Sequence, residues 1–104
     1  MPARWVDVGA AEALPRDGHL VFEVDGRFVA VYDVAGERFA IEDVCTHDGN
    51  PLSDGPVEGH EVICPRHGAR FCLRTGEALS PPAYEAVASF PVEVRDGRLL
   101  LGLD

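Results

Sequence analysis

The chain has 104 residues and a formal net charge of −9, from nine basic and 18 acidic side chains. This acidic balance argues against binding to nucleic acids and to anionic membranes, whose phosphates attract basic surfaces. No apolar run approaches the roughly 18 residues that a membrane-spanning helix needs, so no membrane contact is expected.

The N-terminal half predicts antiparallel strands. A short turn is expected around residues 10–14, and Leu20, Phe22 and Val24 then alternate with Val21 and Glu23. Asp25-Gly26 is a two-residue hairpin signal that returns the chain along Arg27 to Tyr32. A second turn, at Ala35-Gly36, leads to a strand from Arg38 to Ile41.

The centre of the chain differs from its two ends. Residues 44–85 contain ten glycines and prolines in the pattern of short strands joined by shaped loops. Beyond them, Phe90 to Val94 alternates again, Asp96-Gly97 predicts a turn, and Leu99 to Leu103 predicts the return strand. We therefore predict an all-β fold, an antiparallel sandwich or small barrel with a loop-rich centre.

Three cysteines occur, at positions 45, 64 and 72. The N-terminus, Met1 to Trp5, lacks the basic start and apolar stretch of a signal peptide, which predicts a cytoplasmic protein. An odd number of cysteines without a secretion signal argues against a disulfide framework and favours metal or redox chemistry.

Two short motifs in the loop-rich centre pair a cysteine with a histidine. Cys45-Thr46-His47 and Cys64-Pro65-Arg66-His67 are separated by 16 residues, and a predicted hairpin over residues 57–62 would bring them side by side. Two thiolates and two imidazoles suit soft or borderline metals, whereas calcium and magnesium prefer oxygen ligands. The residues alone therefore leave a zinc site and an iron–sulfur centre as alternatives.

These motifs resemble the two cluster-binding loops of the Rieske family, Cys-x-His and Cys-Pro-x-His-Gly. The resemblance extends through Cys64 to Glu77 and the proline-bearing segment Ser80 to Ala83. It implies a Rieske-type antiparallel β-sandwich over residues 1–104, with a cluster-binding part at about 44–85. It also implies one [2Fe–2S] cluster per chain, with Cys45 and Cys64 on one iron and His47 and His67 on the other.

The departures from that family pattern concern the surroundings of the cluster. Respiratory and photosynthetic Rieske proteins join their loops by a disulfide, but Asn50 and Arg66 stand at the corresponding positions. Those proteins also place serine and tyrosine hydroxyls near the cluster, where this chain has Ala69 and Phe71. Because hydrogen bonds to the cluster raise its potential, we expect a low midpoint, on the order of −150 mV.

The resemblance to soluble Rieske ferredoxins implies a monomeric one-electron carrier that turns over no substrate by itself. Its expected partners are a flavin-containing, NAD(P)H-dependent reductase and a ring-hydroxylating or related oxygenase. Alternatives are a stand-alone Rieske protein of another redox or iron–sulfur assembly pathway, and a zinc-stabilised binding module.

Three other groups of residues are interpreted more simply. His19 and His60 are expected to be solvated side chains and not ligands. Cys72 alternates with Phe71 and Leu73 and is expected to be an inert strand residue. Charged or proline residues near the loops, namely Asp48, Arg66 and Pro82, are candidates for the rim of the site.

Overall fold

The computed structural model describes residues 4–46, 49–66, 68–81 and 83–103. These residues form antiparallel strands and one short 3-10 helix, Ala11–Ala13, which confirms the predicted all-β fold and the predicted turn. The strands are β1 (Arg4–Ala10), β2 (His19–Val24), β3 (Arg27–Val34), β4 (Glu37–Glu42), β5 (Val57–Glu58), β6 (Glu61–Ile63), β7 (Arg70–Cys72), β8 (Ser89–Phe90), β9 (Val92–Arg95) and β10 (Arg98–Leu103).

The strands are arranged in three sheets. An outer sheet has the order β1-β10-β9, a central sheet has the order β2-β3-β4-β8, and a small sheet has the order β5-β6-β7. The small sheet contains the predicted hairpin, in which Val57 pairs with Val62. This hairpin lies between the two cysteine motifs in sequence, so it positions the second motif relative to the first.

The three predicted tight turns are present. Asp25-Gly26, Ala35-Gly36 and Asp96-Gly97 each have two consecutive residues at φ between 51° and 88°. This left-handed pair matches the right-handed twist of the adjoining strands and is the preferred two-residue hairpin turn. Each turn joins neighbouring strands of one sheet.

The strand expected from Phe90 to Val94 is divided at Pro91. Ser89 and Phe90 pair with β4 in the central sheet, whereas Val92 begins β9 in the outer sheet. Proline has no N–H for a ladder hydrogen bond, so the break falls where the chain moves from one sheet to the other. Strand β1 was not predicted, because its apolar residues do not alternate regularly.

Both faces of strand β3 are buried. Val29 and Val31 face an outer core between the central and outer sheets, completed by Leu14, Ala40, Leu99 and Leu101. Ala30 and Tyr32 face a second core, here called the loop core. The loop core also contains Ile41, Cys45, Leu52, Val62, Cys64, Ala69, Phe71, Leu73, Ala83 and Val87. The loop-rich centre is therefore packed onto the central sheet.

Among the described residues, no helix is long and apolar enough to cross a membrane.

Candidate metal centre

The two cysteines of the paired motifs are buried side chains of the loop core. Cys45 lies three residues after β4, and Cys64 follows β6 directly. Their exposed fractions are 0% and 1%. Burial in one core shields both sulfur atoms from solvent oxidants.

The first motif begins a turn that closes on itself. The N–H of Cys45 donates to the carbonyl of Asn50 at 2.7 Å, and the N–H of Gly49 donates to the carbonyl of Cys45 at 2.7 Å. Gly49 has φ +77°, a conformation that glycine adopts without strain. The backbone itself therefore sets the direction of the Cys45 side chain.

The second motif has the same closure. The N–H of Cys64 donates to the carbonyl of Ala69 at 2.7 Å, and the N–H of Gly68 donates to the carbonyl of Cys64 at 3.0 Å. Gly68 has φ +73°. The two loops are thus backbone equivalents with matching cysteine positions, which supports a shared ligand between them.

Gly55 joins the exit of the first loop to the entrance of the second. A Cβ atom at Gly55 would lie 1.8 Å from the carbonyl oxygen of Ile63, the residue before Cys64. The N–H of Ile63 also donates to the carbonyl of Pro56 at 2.9 Å. Only a residue without a side chain allows this approach, and the sequence pattern alone gave no indication of it.

Residues 78–88 form a third segment beside the loops. The Thr46 hydroxyl donates to the carbonyl of Glu85 at 2.7 Å, which ties this segment to the first loop. The hydroxyl of Ser80 accepts the N–H of Arg70 at 3.0 Å, and the N–H of Val87 donates to the carbonyl of Gly76 at 2.9 Å. The third segment is therefore tied to the first motif and to the strand and turn that follow the second motif.

Several predicted positions lie outside the described residues. These are His47 and His67, together with the rim candidates Asp48 and Pro82. Within the ranges that the structure describes, no group of three or more His, Cys, Asp or Glu side chains is placed to hold a metal ion. The four-ligand assignment stays a prediction.

The other two histidines have structural contacts. The His19 ring lies 5.4 Å from the Tyr32 ring between centroids. His60 Nε2 lies 3.3 Å from a carboxylate oxygen of Glu37 and 3.1 Å from the guanidinium of Arg74. Neither set of contacts includes a cysteine.

Cys72 begins a third turn of the same kind. Its N–H donates to the carbonyl of Glu77 at 2.9 Å, and its carbonyl accepts the N–H of Gly76 at 2.7 Å. Partial burial raises the pKa of the Cys72 thiol, but hydrogen bonds from the Thr75 hydroxyl and from the N–H groups of Thr75 and Arg74 outweigh it. The net pKa lies below the ordinary value of 9.0, an effect of the turn that the sequence interpretation missed.

Two positions in the loop core lack the hydroxyl groups that related proteins have there. Ala69 and Phe71, at the positions where related proteins have hydroxyls, are both fully buried in the loop core. Tyr32 is 2% exposed in the same core, and its hydroxyl has no hydrogen-bond partner within the described ranges. Burial raises the pKa of Tyr32, and the charges of Asp43 and Asp54 raise it further.

A [2Fe–2S] cluster fits this arrangement. The two thiols are soft donors, lie in a core shielded from water and start backbone-equivalent loops. Calcium or magnesium sites would instead require converging oxygen ligands.

Comparisons with known proteins agree with this chemistry. A family model described as a Rieske [2Fe–2S] domain matches residues 4–91. The ferredoxin component of the naphthalene 1,2-dioxygenase/salicylate 5-hydroxylase systems of a Ralstonia species is 34% identical over 104 residues, covering 100% of both chains.

Two solved structures are also similar. The ferredoxin of carbazole 1,9a-dioxygenase from Nocardioides aromaticivorans IC177 matches with a TM-score of 0.90 and 28% identity, covering 98% of this chain and 100% of that one. A chain in a complex of reduced oxygenase and oxidised ferredoxin of carbazole 1,9a-dioxygenase matches with a TM-score of 0.86 and 33% identity, covering 94% of this chain and 92% of that chain.

Proposed function

The chain belongs to the Rieske [2Fe–2S] domain family and is an electron carrier, and we propose that it passes single electrons from a flavin-dependent reductase to a ring-hydroxylating oxygenase. The observation that carries this proposal is the pair of buried cysteines, Cys45 and Cys64, in two loops with the same backbone closure. A full-length relative is named as a ferredoxin component of a dioxygenase system, and a similar structure comes from an oxygenase–ferredoxin complex. We propose that this electron transfer takes place in the cytoplasm.

We propose that Cys45, His47, Cys64 and His67 hold the cluster. When bound, the cluster supplies one reversible one-electron step. The protein's own contribution is to bury the cysteines, to hold both loops in a fixed relative position through Gly55 and Ile63, and to exclude water.

We propose that the oxygenase docks on three exposed side chains of the third segment, Leu79, Pro81 and Tyr84. Tyr84 is 83% exposed and Leu79 is 44% exposed, and they line a shallow cavity together with Pro81. This patch belongs to the segment that Thr46 ties to the first loop, so a protein seated there lies close to the loops. Exposed aromatic side chains are frequent anchors of protein interfaces.

The test combines spectroscopy with electron transfer. The purified protein is expected to be red-brown, to show a rhombic EPR signal after reduction, and to contain two irons per chain. It should be reduced by NAD(P)H through a flavin reductase and should then reduce a ring-hydroxylating oxygenase. A colourless zinc protein, or a reduced protein that no such oxygenase oxidises, would contradict the proposal.

The docking surface has its own control. Tyr84→Ala should raise the KM for the oxygenase with the EPR signal and midpoint potential unchanged. Val94→Ala removes a side chain that is 42% exposed on β9, in the outer sheet, and should leave the KM unchanged. Equal effects of the two substitutions would rule out docking on Leu79, Pro81 and Tyr84.

A further inference from the structure

The arginines of this chain are unequally partnered. All nine basic side chains are arginines, against 18 acidic side chains. Arg66 has an interaction of its own, and six others form ion pairs: Arg4, Arg27, Arg70, Arg74, Arg95 and Arg98. Within the described ranges, Arg16 and Arg38 have neither an ion pair nor a hydrogen bond from the side chain. Because acidic side chains outnumber arginines two to one, most arginines have an acidic partner, and these two guanidinium groups are exceptions to that pairing.

Arg16 and Arg38 line the same cavity. The cavity has a volume of about 660 Å³, within the usual range for small-molecule sites. It lies where the turn between β3 and β4 meets the 3-10 helix Ala11–Ala13 and Gly97 of the turn between β9 and β10. Two guanidinium groups on one concave surface are a suitable arrangement for an anionic group.

The remaining lining is apolar with two acids. Ala10, Ala11 and Leu14 supply apolar surface, and Glu12 and Asp33 supply carboxylates. Asp33 is 8% exposed, and its Oδ1 accepts backbone N–H groups of residues 17 and 36, each at 3.2 Å. The backbone therefore stabilises the Asp33 charge, which leaves both guanidinium groups available to a ligand.

We propose that this cavity binds a small organic carboxylate. The carboxylate group would be held by Arg16 and Arg38, and the apolar body would pack against Ala10, Ala11 and Leu14. Glu12 and Asp33 oppose a second negative charge, so a ligand with one anionic group is favoured over a polyanion.

The site is separate from the proposed cluster loops. Arg38 lies near the start of β4, whereas Cys45 lies beyond its end, and a strand of six residues spans roughly 17–20 Å. The lining of the cavity shares no residue with the docking surface at Leu79, Pro81 and Tyr84, so a ligand in the cavity leaves that surface free. The proposal does not depend on which proteins exchange electrons with this chain.

The experiment is a titration of the full-length, cluster-loaded protein followed by ¹⁵N–¹H NMR. Sodium benzoate is the probe, with benzyl alcohol as the neutral analogue and sodium chloride at matched ionic strength. We expect saturable shifts of the amides of Ala11, Gly36 and Gly97, which line the cavity, and none with benzyl alcohol. Gly36 precedes β4 and Cys45 follows it, so the length of that strand separates the Gly36 amide from Cys45.

Matched substitutions complete the test. Arg16→Gln and Arg38→Gln should each weaken benzoate binding about tenfold, the loss of one charge-assisted contact. Arg95→Gln, which removes a guanidinium paired with Glu93, should leave the affinity unchanged. Shifts that do not saturate, equal binding of benzyl alcohol, unchanged affinity in both cavity variants, or equally tight binding of inorganic phosphate would each overturn the proposal.

Discussion

Asp43 holds Ser53 through both of its carboxylate oxygens. The Ser53 N–H donates to Oδ1 and the Ser53 hydroxyl donates to Oδ2, each at 2.7 Å. Asp43 precedes Cys45 by two residues and Ser53 follows Asn50 by three, so the two bonds close the base of the first cysteine loop. Neither residue was identified from the sequence, because nothing in their spacing distinguishes this contact from solvated loop residues.

Breaking this contact should loosen the first loop. We expect Asp43→Ala and Ser53→Ala each to lower the free energy of unfolding by about 1–3 kcal/mol, because the remaining partner is left unsatisfied and partly buried. Chemical denaturation and the rate of iron loss measure the effect. Because the two side chains act as one contact, the double variant should be less destabilised than the sum of the single variants, and Asp54→Ala, at an exposed neighbour, should change little. Strict additivity would show that the pair is not coupled.

Gly55→Ala should separate the two loops. Its Cβ would overlap the carbonyl oxygen of Ile63, a backbone atom that cannot rotate away, so we expect a loss of about 3 kcal/mol or more and faster iron release. Gly59→Ala is the control, because its φ is +58° but no atom lies within 4 Å of the added Cβ. The control should show only the strain of its backbone, about 1–2 kcal/mol, with normal iron content. Equal iron release from both variants would contradict the role of Gly55.

Tyr32 should make the protein sensitive to alkaline pH. Because burial and the charges of Asp43 and Asp54 raise its pKa above the ordinary 10.0, the folded protein keeps the proton that the unfolded chain releases. Neutral Tyr32 therefore contributes to the free energy of unfolding below about pH 10, and this contribution is lost as the pH rises above about 10. Thermal melts from pH 9 to 11 should show this loss, and Tyr32→Phe should reduce it.

Tyr84→Phe is the matched control for Tyr32, since the Tyr84 side chain is 83% exposed and burial supplies the leading shift at Tyr32. We expect the alkaline loss to persist in this variant. Tyr32→Phe also removes a buried hydroxyl without a partner in the described ranges, so it should not destabilise the protein at pH 7. A loss of more than about 1 kcal/mol at pH 7 would reveal a partner for that hydroxyl.

Cys72 should be the first cysteine to react with alkylating agents. Its lowered pKa increases the thiolate fraction near neutral pH, and its side chain is partly exposed, whereas Cys45 and Cys64 are buried. Peptide mapping after iodoacetamide treatment should place the label on Cys72. Thr75→Val should move the reaction to higher pH, because it removes a hydrogen bond to the thiolate. Labelling of Cys45 or Cys64 at the same rate, or no change in Thr75→Val, would contradict this prediction.

The reduction potential should be low and adjustable. With Ala69 and Phe71 buried and without hydroxyls, we expect a midpoint on the order of −150 mV. Ala69→Ser and Phe71→Tyr should each shift it upward, because a hydroxyl near the cluster favours the reduced state. Protein-film voltammetry measures both, with Val94→Ala, on β9 of the outer sheet, as the control. A wild-type midpoint above roughly +100 mV would contradict the reasoning.

The sequence determined the type of fold and the kind of chemistry. Alternating apolar residues and three two-residue turn signals are local properties, because side-chain period and backbone handedness depend only on neighbouring residues. The paired Cys/His motifs likewise limit the metal chemistry to zinc or an iron–sulfur centre through ligand type, and the family resemblance implies the cluster. The turns at Asp25-Gly26, Ala35-Gly36 and Asp96-Gly97 all appear where the sequence places them.

Only the tertiary structure decided how distant parts meet. One predicted strand is divided at Pro91 between two sheets. Gly55 approaches Ile63, and Asp43 accepts hydrogen bonds from Ser53. No local sequence pattern predicts any of these three features. The burial of Tyr32 and the shared cavity of Arg16 and Arg38 belong to the same class. Such contacts depend on how three sheets stack, and stacking is set by the packing of the whole chain and not by any local pattern.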